Sequence, residues 1–218
     1  MVIPSTSPTS TPAPRAALSG AAIGALVDGV ARHGYAVAPA FLSAATVAAL
    51  RRRALALDAA GGLAPAAIGR GPTRRRASEV RGDRIAWLDE SAASPAESAA
   101  RAAFETLRAA MNRELMMGLE RFDAHYAIYP PGAHYARHLD RFRDDDARAL
   151  SCVLYLNRAW RPEDGGALRL HLDEVGARDV LPQGGTLVAF LAGRLEHEVL
   201  PALRTRTSLT GWFSRRQC

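Results

Sequence analysis

Apolar residues recur at helical spacing in three segments of the first half of the chain. Residues 18–32 show this spacing, and residues 44–57 show it directly after Ser43, a favourable N-cap. Residues 95–117 form the longest such stripe, and Ser94 followed by glutamate three residues later is typical of a capping box. We therefore predict three helices that brace a sheet.

Beyond Gly118 the pattern changes to short apolar runs separated by turn residues. Strands are predicted at residues 122–129, 133–140, 150–156, 166–172, 186–191, 197–200 and 205–213, with earlier ones at 35–37 and 85–88. Short, closely spaced strands predict an antiparallel sandwich or barrel. The chain is thus expected to be α+β or mainly β.

The pattern also predicts how the chain is organised. Residues 18–218 are expected to form one domain, with helical support over about 18–117 and a β core over about 118–214. Residues 1–17 are mostly Pro, Ser, Thr and Ala and are predicted to be a disordered tail. Residues 61–84 are rich in Gly and Arg, which predicts an exposed connector.

Composition and charge exclude few classes of function, but they weaken the case for nucleic-acid binding. The net charge is +6 over 218 residues, and every basic residue is arginine. Together with the abundance of alanine, this indicates a compositional bias, so the charge is poor evidence for nucleic-acid binding. No nucleic-acid partner is expected.

Two cysteines, Cys152 and Cys218, cannot supply a disulfide framework for a chain of this size. No apolar run reaches the roughly 18 residues that a membrane helix needs, and the N-terminal text lacks the order of a secretory signal. We expect a soluble cytoplasmic protein without a membrane partner. A reducing compartment would also keep iron ferrous.

A candidate metal site begins at His138 and Asp140. In an extended strand these side chains share one face, while Leu139 is expected to turn away into the core. His197 is the best candidate for a third ligand. Two imidazoles and one carboxylate leave half of an octahedron open, as in non-haem Fe(II) oxygenases. Zinc is the rival assignment, but closed zinc sites usually have a fourth protein ligand and neither cysteine is near in sequence.

Nine residues beyond His197, Arg206 opens a strand in which Ser208, Thr210 and Trp212 share its face. A guanidinium group binds a carboxylate bidentately and keeps its charge, and Thr210 could add a hydroxyl. A molecule that chelates a metal at one end and offers a carboxylate at the other fits this arrangement. We therefore expect 2-oxoglutarate as cosubstrate.

The motifs from about Val80 to Trp212 resemble those of the 2-oxoglutarate and Fe(II)-dependent prolyl hydroxylases that act on hypoxia-inducible factor, and of their bacterial relatives. The matching segments are Val80–Trp87, Tyr129–Pro130, Tyr135-x-Arg137–His138-x-Asp140, Tyr155–Asn157, Gly165–Gly166-x-Leu168–Arg169, His197–Val199, and Thr205–Arg206 with Thr210 and Trp212.

This resemblance implies a double-stranded β-helix, or jelly-roll, with the metal and cosubstrate inside its mouth. It implies that His138, Asp140 and His197 hold Fe(II), and that Arg206 and Thr210 hold the far carboxylate of 2-oxoglutarate. The remaining residues that it assigns are Tyr155 and Tyr129 to the cosubstrate, and Tyr135, Arg148, Trp212, Trp87, Arg81 and Asp83 to the substrate entrance. From the sequence alone, Trp87 is more simply a core residue.

The resemblance further implies a dioxygenase that 4-hydroxylates a proline in a protein and yields hydroxyproline, succinate and CO2, with ascorbate as a reductant. Bacterial relatives of this kind resemble modifiers of elongation factor Tu, which makes that protein the leading candidate partner. Residues 61–84 correspond to a loop that closes over the substrate. His33, His125, His134 and His171 have no assigned partner and are interpreted as ordinary histidines.

Three alternatives stay open. The same oxygenase chemistry could act on a free amino acid or small metabolite. Nucleic-acid repair is disfavoured because Trp212 stands where those enzymes carry a second arginine. A non-enzymatic metal-binding jelly-roll is disfavoured because the three ligands and Arg206 are all present.

Overall fold

The computed structural model describes residues 20–69, 75–89, 91–140, 147–172 and 176–216. The predicted tail at residues 1–17 lies outside the described residues, and so does Cys218. Within the described ranges the helices are α1 (Gly20–His33), α2 (Ala44–Ala59) and α3 (Pro95–Leu115). None of them is both long and apolar enough to span a membrane.

Local capping interactions set the helix ends that the sequence predicts. The Ser43 hydroxyl accepts a hydrogen bond from the backbone N–H of Thr46 at the start of α2. At the start of α3, Ser94 and Glu97 form the full capping box, with each side chain bonded to the other residue's backbone. α3 ends at Leu115, and its C-cap residue Met116 has a left-handed φ of 50°.

The strands are numbered in chain order. They are β1 (Tyr35–Ala38), β2 (Ala64–Pro65), β3 (Arg84–Trp87), β4 (Leu119–Tyr129), β5 (Tyr135–His138), β6 (Arg148–Tyr155), β7 (Leu168–Leu172), β8 (Gly176–Val180), β9 (Leu187–Leu191), β10 (His197–Val199) and β11 (Arg206–Arg215). A short 3-10 helix, Pro162–Asp164, connects β6 and β7.

Two antiparallel sheets are formed by these strands. The larger sheet has the order β1-β9-β6-β11-β4-β3-β2, and the smaller has the order β5-β10-β7-β8. Strands from the first half of the chain complete both ends of the larger sheet, and β11 lies at its centre between β4 and β6.

One apolar cluster lies between the two sheets. It joins Val153, Tyr155 and Phe190 of the larger sheet to Leu168 and Leu170 of the smaller one. A second cluster packs α1, α2 and α3 against the opposite face of the larger sheet. Facing sheets with helices behind one of them confirm the predicted jelly-roll core and its helical brace.

Two strands were absent from the sequence prediction. β8 lies at the edge of the smaller sheet, and four of its five residues are exposed, so it lacks the apolar alternation that indicates a strand. β2 consists of Ala64 and Pro65 and pairs only with β3. Both are edge strands whose pairing depends on their neighbours.

Candidate active site

Three potential metal ligands meet at one end of the smaller sheet. His138 is the last residue of β5 and His197 the first of β10, and the two are directly paired in register. Asp140 follows two residues after β5. The ligand atoms of all three lie within 4.8 Å of one another. Asp140 Oδ1 is 3.5 Å from His138 Nε2, and Oδ2 is 3.6 Å from His197 Nε2.

Backbone carbonyls orient both imidazoles. His138 Nδ1 lies 2.8 Å from the carbonyl oxygen of Ala136, and His197 Nδ1 lies 3.1 Å from that of Leu195. Each Nδ1 therefore donates its proton outward, which leaves each Nε2 lone pair directed at the shared point. The Ser151 hydroxyl donates to Asp140 Oδ2 at 2.7 Å and fixes the carboxylate.

Asp140 and His197 are held in the protonation states that bind a metal. Burial opposes ionisation of Asp140, but His197, His138 and the Ser151 hydroxyl together keep the pKa of its carboxyl well below the usual range. Burial lowers the pKa of His197 to about 4, although Asp140 opposes that shift. At neutral pH the site thus offers a carboxylate and a neutral imidazole.

The local backbone differs from the prediction at Leu139. β5 ends at His138, and Asp140 lies in a bend rather than on the strand. Leu139 is 41% exposed at this bend, so the prediction that it turns into the core was wrong. The alternation rule fails here because it holds only while the backbone stays extended.

Arg206 is buried and lines the same cavity. Its Nε donates to the carbonyl oxygen of Gly166 at 2.9 Å, and its guanidinium carbon lies 5.1 Å from the ring centres of both Tyr129 and Tyr155. Arg206 Nη2 and the Tyr155 hydroxyl are buried without a hydrogen-bond partner among the described residues. Buried donors without partners indicate a missing acceptor.

A carboxylate would supply that acceptor. Burial raises the pKa of Tyr155 to about 12, against the influence of Arg206, so its hydroxyl remains a donor at neutral pH. Thr210 lies on the cavity wall, with its hydroxyl 3.2 Å from that of Ser208. A charged donor, a phenol and a hydroxyl group match the far end of a dicarboxylate.

The cavity brings most of the predicted site residues together. Its walls include His138, Asp140, His197, Arg206, Thr210, Tyr129, Tyr135, Trp212, Arg81 and Asp83. Tyr155, Arg148 and Trp87 are not among the residues that line it, although each contacts one that does.

An ion pair and an aromatic stack form one side of the entrance. Arg81 donates to both carboxylate oxygens of Asp83, at 2.7 and 3.0 Å, and the Asp83 side chain is fully buried. The Arg81 guanidinium lies 4.7 Å above the Tyr135 ring, which in turn stacks on the His138 ring at 3.6 Å. The metal site is therefore linked directly to the segment that precedes β3.

Trp87 and Trp212 form the other side. The Arg148 guanidinium lies 3.8 Å above the Trp212 ring, and Arg148 Nη1 also donates to the Asp140 carbonyl at 3.3 Å. The rings of Trp87 and Trp212 are 6.3 Å apart. Trp87 is 54% exposed, so its interpretation as a core residue was wrong. It lies on β3, near the open edge of the larger sheet, where little protein covers it.

Three further residues contribute to the site and were not predicted as site residues. Ser151 and Gly166 hold Asp140 and Arg206 through the hydrogen bonds described above, and His125 lies on the cavity wall. Strand periodicity contained a signal for two of them. Ser151 precedes Tyr155 by four residues and His125 precedes Tyr129 by four, which places each pair on one face of a strand.

A jelly-roll with two histidines and one carboxylate at its mouth defines the class of non-haem iron enzymes with an open coordination face. The sequence model of the 2OG-Fe(II) oxygenase superfamily matches residues 124–214. A crystal structure of a Pseudomonas putida prolyl-4-hydroxylase is 49% identical, with a TM-score of 0.81, over 89% of this chain and 100% of that one. The chain belongs to the prolyl hydroxylase family of 2-oxoglutarate and Fe(II)-dependent oxygenases.

Other relatives agree on the family. A Trichoplax adhaerens prolyl hydroxylase in complex with a peptide fragment of the hypoxia-inducible factor oxygen degradation domain is 25% identical, with a TM-score of 0.80, over 88% of each chain. Mouse prolyl hydroxylase EGLN3 is 37% identical over 98 residues, which are 43% of this chain and 41% of that protein. For human Egl nine homolog 1 the match is 36% identity over 97 residues and 22% of its length. The match therefore spans less than half of these curated relatives.

Proposed function

We propose that this protein is a 2-oxoglutarate and Fe(II)-dependent prolyl 4-hydroxylase that acts on a proline within a protein. The observation that carries the proposal is that two neighbouring buried groups lack hydrogen-bond partners. Arg206 lines the cavity that holds the three metal ligands, and its Nη2 is buried without a hydrogen-bond partner among the described residues, as is the hydroxyl of Tyr155, which contacts Arg206.

The residues have distinct roles in this scheme. His138, Asp140 and His197 would hold Fe(II), and Arg206 with Tyr155 and Thr210 would bind the far carboxylate of 2-oxoglutarate. When bound, these two groups would react with dioxygen, one atom of which goes into succinate as CO2 is released and the other into the hydroxyl group of the substrate. The protein orients both and excludes water through its apolar inter-sheet core.

Tyr129 would help to position the cosubstrate beside Arg206. At the entrance we assign substrate contacts to Tyr135, Arg148, Trp212 and Trp87, with Arg81 and Asp83 fixing the edge of the segment at residues 61–84. That segment is proposed to close over the bound peptide. The exposed indole of Trp87 supports this arrangement, because a large exposed aromatic beside a cavity is typical of a binding surface.

The substrate class follows from the relatives rather than from the cavity. The 49% identical structure is that of a prolyl-4-hydroxylase, and the Trichoplax enzyme was solved in complex with a peptide fragment. A protein substrate is therefore our proposal for this chain. Elongation factor Tu as the partner, ascorbate as a reductant and a cytoplasmic location stay predictions.

The proposal is tested by adding Fe(II) and 2-oxoglutarate without oxygen and recording the visible charge-transfer band. Oxygen is then admitted, and succinate and hydroxyproline are measured with intact elongation factor Tu and with synthetic peptides that cover its prolines. We expect a band that His138→Ala removes, and hydroxyproline that forms in step with succinate.

Other outcomes distinguish the alternatives. A band with succinate but without hydroxyproline on any proline substrate would favour a free amino acid or metabolite as the substrate. The absence of a band in the wild-type protein under reducing conditions would favour a non-enzymatic metal-binding jelly-roll. Arg206→Ala serves as the control for the cosubstrate, because it should retain metal binding and lose 2-oxoglutarate binding.

A further inference from the structure

His125 is a buried polar residue for which the scheme above has no role. Its side chain is 1% exposed and lies on the wall of the cavity that holds the metal ligands. Neither Nδ1 nor Nε2 has a hydrogen-bond partner in the described part of the chain. A buried imidazole with both nitrogens unsatisfied is rare, because each unsatisfied group loses its hydration without compensation.

The position of His125 in the sheet directs it toward the entrance. On β4 it shares its face with Ala127 and Tyr129, which also line the cavity. In register, His125 is opposite Thr210 of β11 on one side and opposite Trp87 of β3 on the other. It therefore stands between the proposed cosubstrate pocket and the rim.

Aromatic side chains hold the imidazole in place. The Trp87 ring meets it edge-on at 4.9 Å, and the Trp212 ring lies 5.3 Å away. Trp212 Nε1 is likewise buried without a hydrogen-bond partner among the described residues. His125 and Trp212 both line the cavity, so two rings with unpartnered polar atoms border it.

The imidazole is neutral, so it carries one donor and one acceptor. Burial lowers its pKa to about 3, with Arg81 and Arg148 acting in the same direction and Asp83 and Asp140 opposing them. A neutral donor suits an uncharged acceptor such as a peptide carbonyl. A prolyl residue has no backbone N–H, so the carbonyl groups before and after its ring are the backbone hydrogen-bonding groups next to the proline, and both are acceptors.

We propose that His125 is a positioning residue whose imidazole N–H donates a hydrogen bond to a backbone carbonyl next to the target proline. Trp87 and Trp212 pack against the pyrrolidine ring in this arrangement, and His125 fixes the ring's orientation relative to the three metal ligands. This inference rests on the proposed prolyl hydroxylase function and adds a specificity determinant to it.

The test compares His125→Leu, which removes both polar atoms at similar volume, with His125→Gln, which keeps a donor and an acceptor. The substrate is the protein or peptide on which the wild-type enzyme forms hydroxyproline. The measurements are the peptide KM, kcat, the ratio of hydroxyproline to succinate, anaerobic binding of 2-oxoglutarate with Mn(II), and the thermal unfolding temperature.

For His125→Leu we expect the peptide KM to rise about 10-fold, as befits one hydrogen bond. The ratio of hydroxyproline to succinate should fall, because a misoriented ring leaves cosubstrate turnover uncoupled. Binding of 2-oxoglutarate should stay within twofold of wild type, and the unfolding temperature should not drop. His125→Gln should recover most of the lost coupling.

An unchanged peptide KM and an unchanged product ratio in His125→Leu would overturn the inference. A lowered unfolding temperature with equal losses in both variants would assign His125 a structural role instead. Weakened 2-oxoglutarate binding in His125→Leu would place the residue in the cosubstrate pocket. If wild type itself forms no hydroxyproline on any proline substrate, the proposed function fails, and with it this extension.

Discussion

Arg206 combines a permanent charge with nearly complete burial and a single described hydrogen bond to a backbone carbonyl. Replacing it with lysine keeps the charge but removes the planar fork that binds a carboxylate with two parallel bonds. We expect Arg206→Lys to weaken 2-oxoglutarate binding by roughly 10-fold to 100-fold, as befits the loss of a charged hydrogen bond.

Anaerobic calorimetric titration with Mn(II) bound measures this change. Arg169→Lys is the matched control, because Arg169 forms a partly exposed pair with Asp179 between β7 and the edge strand β8, away from the residues that line the cavity, and should leave binding unaltered. Equal binding by Arg206→Lys and wild type would remove Arg206 from the cosubstrate pocket.

His125 also predicts a dependence of stability on pH. Its pKa is lowered to about 3 in the folded protein, whereas an unfolded chain has a histidine pKa of about 6.5. As the pH falls below about 6.5, the unfolded state takes up a proton that the folded state rejects, so the free energy of unfolding decreases. The decrease attributable to His125 is about 1.4 kcal/mol per pH unit.

In His125→Leu the unfolded state has no imidazole to protonate at this position. The free energy of unfolding of the variant relative to wild type should therefore increase as the pH is lowered from 7 to 4.5. Urea unfolding of both proteins in the absence of metal measures the difference at each pH. A difference that is constant across this range would mean that the His125 imidazole is accessible to protons in the folded state.

Spacing along the sequence was sufficient to predict which residues meet at the metal site, because His138, Asp140 and His197 do converge. Spacing was not sufficient to predict that the side chains of Leu139 and Trp87 are exposed. Leu139 is exposed by a bend that the alternation rule does not contain, and Trp87 is exposed because its strand lies near the edge of the larger sheet. Both depend on tertiary context, which periodicity does not carry.

At the scale of elements, the link between β6 and β7 determines how Arg206 is held. Gly166 has a φ of 70°, and a Cβ there would lie 2.8 Å from Ala202 Cβ and 3.3 Å from Arg206 Cδ. We expect Gly166→Ala to weaken 2-oxoglutarate binding at least 10-fold and to lower the unfolding temperature, because the added methyl group displaces Arg206.

Gly118→Ala is the control for backbone strain alone. Gly118 has a similar φ of 65° but nothing within 4 Å of its would-be Cβ. It should lose some stability and keep cosubstrate affinity. Similar affinities for the two variants would show that the close approach at Gly166 does not position Arg206.

Backbone hydrogen bonds and an ion pair connect the segment before β3 to β5 and the turn that precedes β5. The Gly82 N–H donates to the His134 carbonyl and the Ala136 N–H to the Val80 carbonyl, while Arg81 and Asp83 form their buried pair between these contacts. Asp83→Asn removes the negative charge and leaves the Arg81 charge buried without its partner, which should destabilise the protein by about 3–5 kcal/mol.

Hydrogen exchange should speed up at the Gly82 and Ala136 amides in Asp83→Asn, and the peptide KM should rise. The matched control is Asp58→Asn, since Asp58 pairs with Arg84 in a more exposed position and its loss should cost under about 1 kcal/mol. Unchanged exchange at both amides would show that the Arg81–Asp83 ion pair does not keep this segment ordered.

Sequence patterns predicted the elements that carry a strong apolar period or a cap. The capping box at Ser94 and the N-cap at Ser43 both form as expected. The pattern did not predict β8, because this exposed edge strand has no apolar face. It did not predict β2, because two residues are too few to show a period.

For the whole molecule, binding of a metal and a cosubstrate between the sheets should raise thermal stability. At about 100 times its dissociation constant, a ligand that binds only the folded state adds about 2.7 kcal/mol. We expect Mn(II) with 2-oxoglutarate to raise the unfolding temperature by about 5–10 °C in a chain of this size. Excess chelator should reverse the shift, and His138→Ala should show none.

The larger sheet also sets the order in which the site can be built during synthesis. β1, the first of the described strands along the chain, pairs with β9, and β11, the last of them, fills the centre between β4 and β6. His197 and Arg206 therefore meet the rest of the site only after most of the described strands that precede them have been synthesised. A nascent chain cannot bring the three candidate ligands together before His197 has been synthesised, so we expect metal to bind only after that point, and we expect the closing of long loops between paired strands to slow folding.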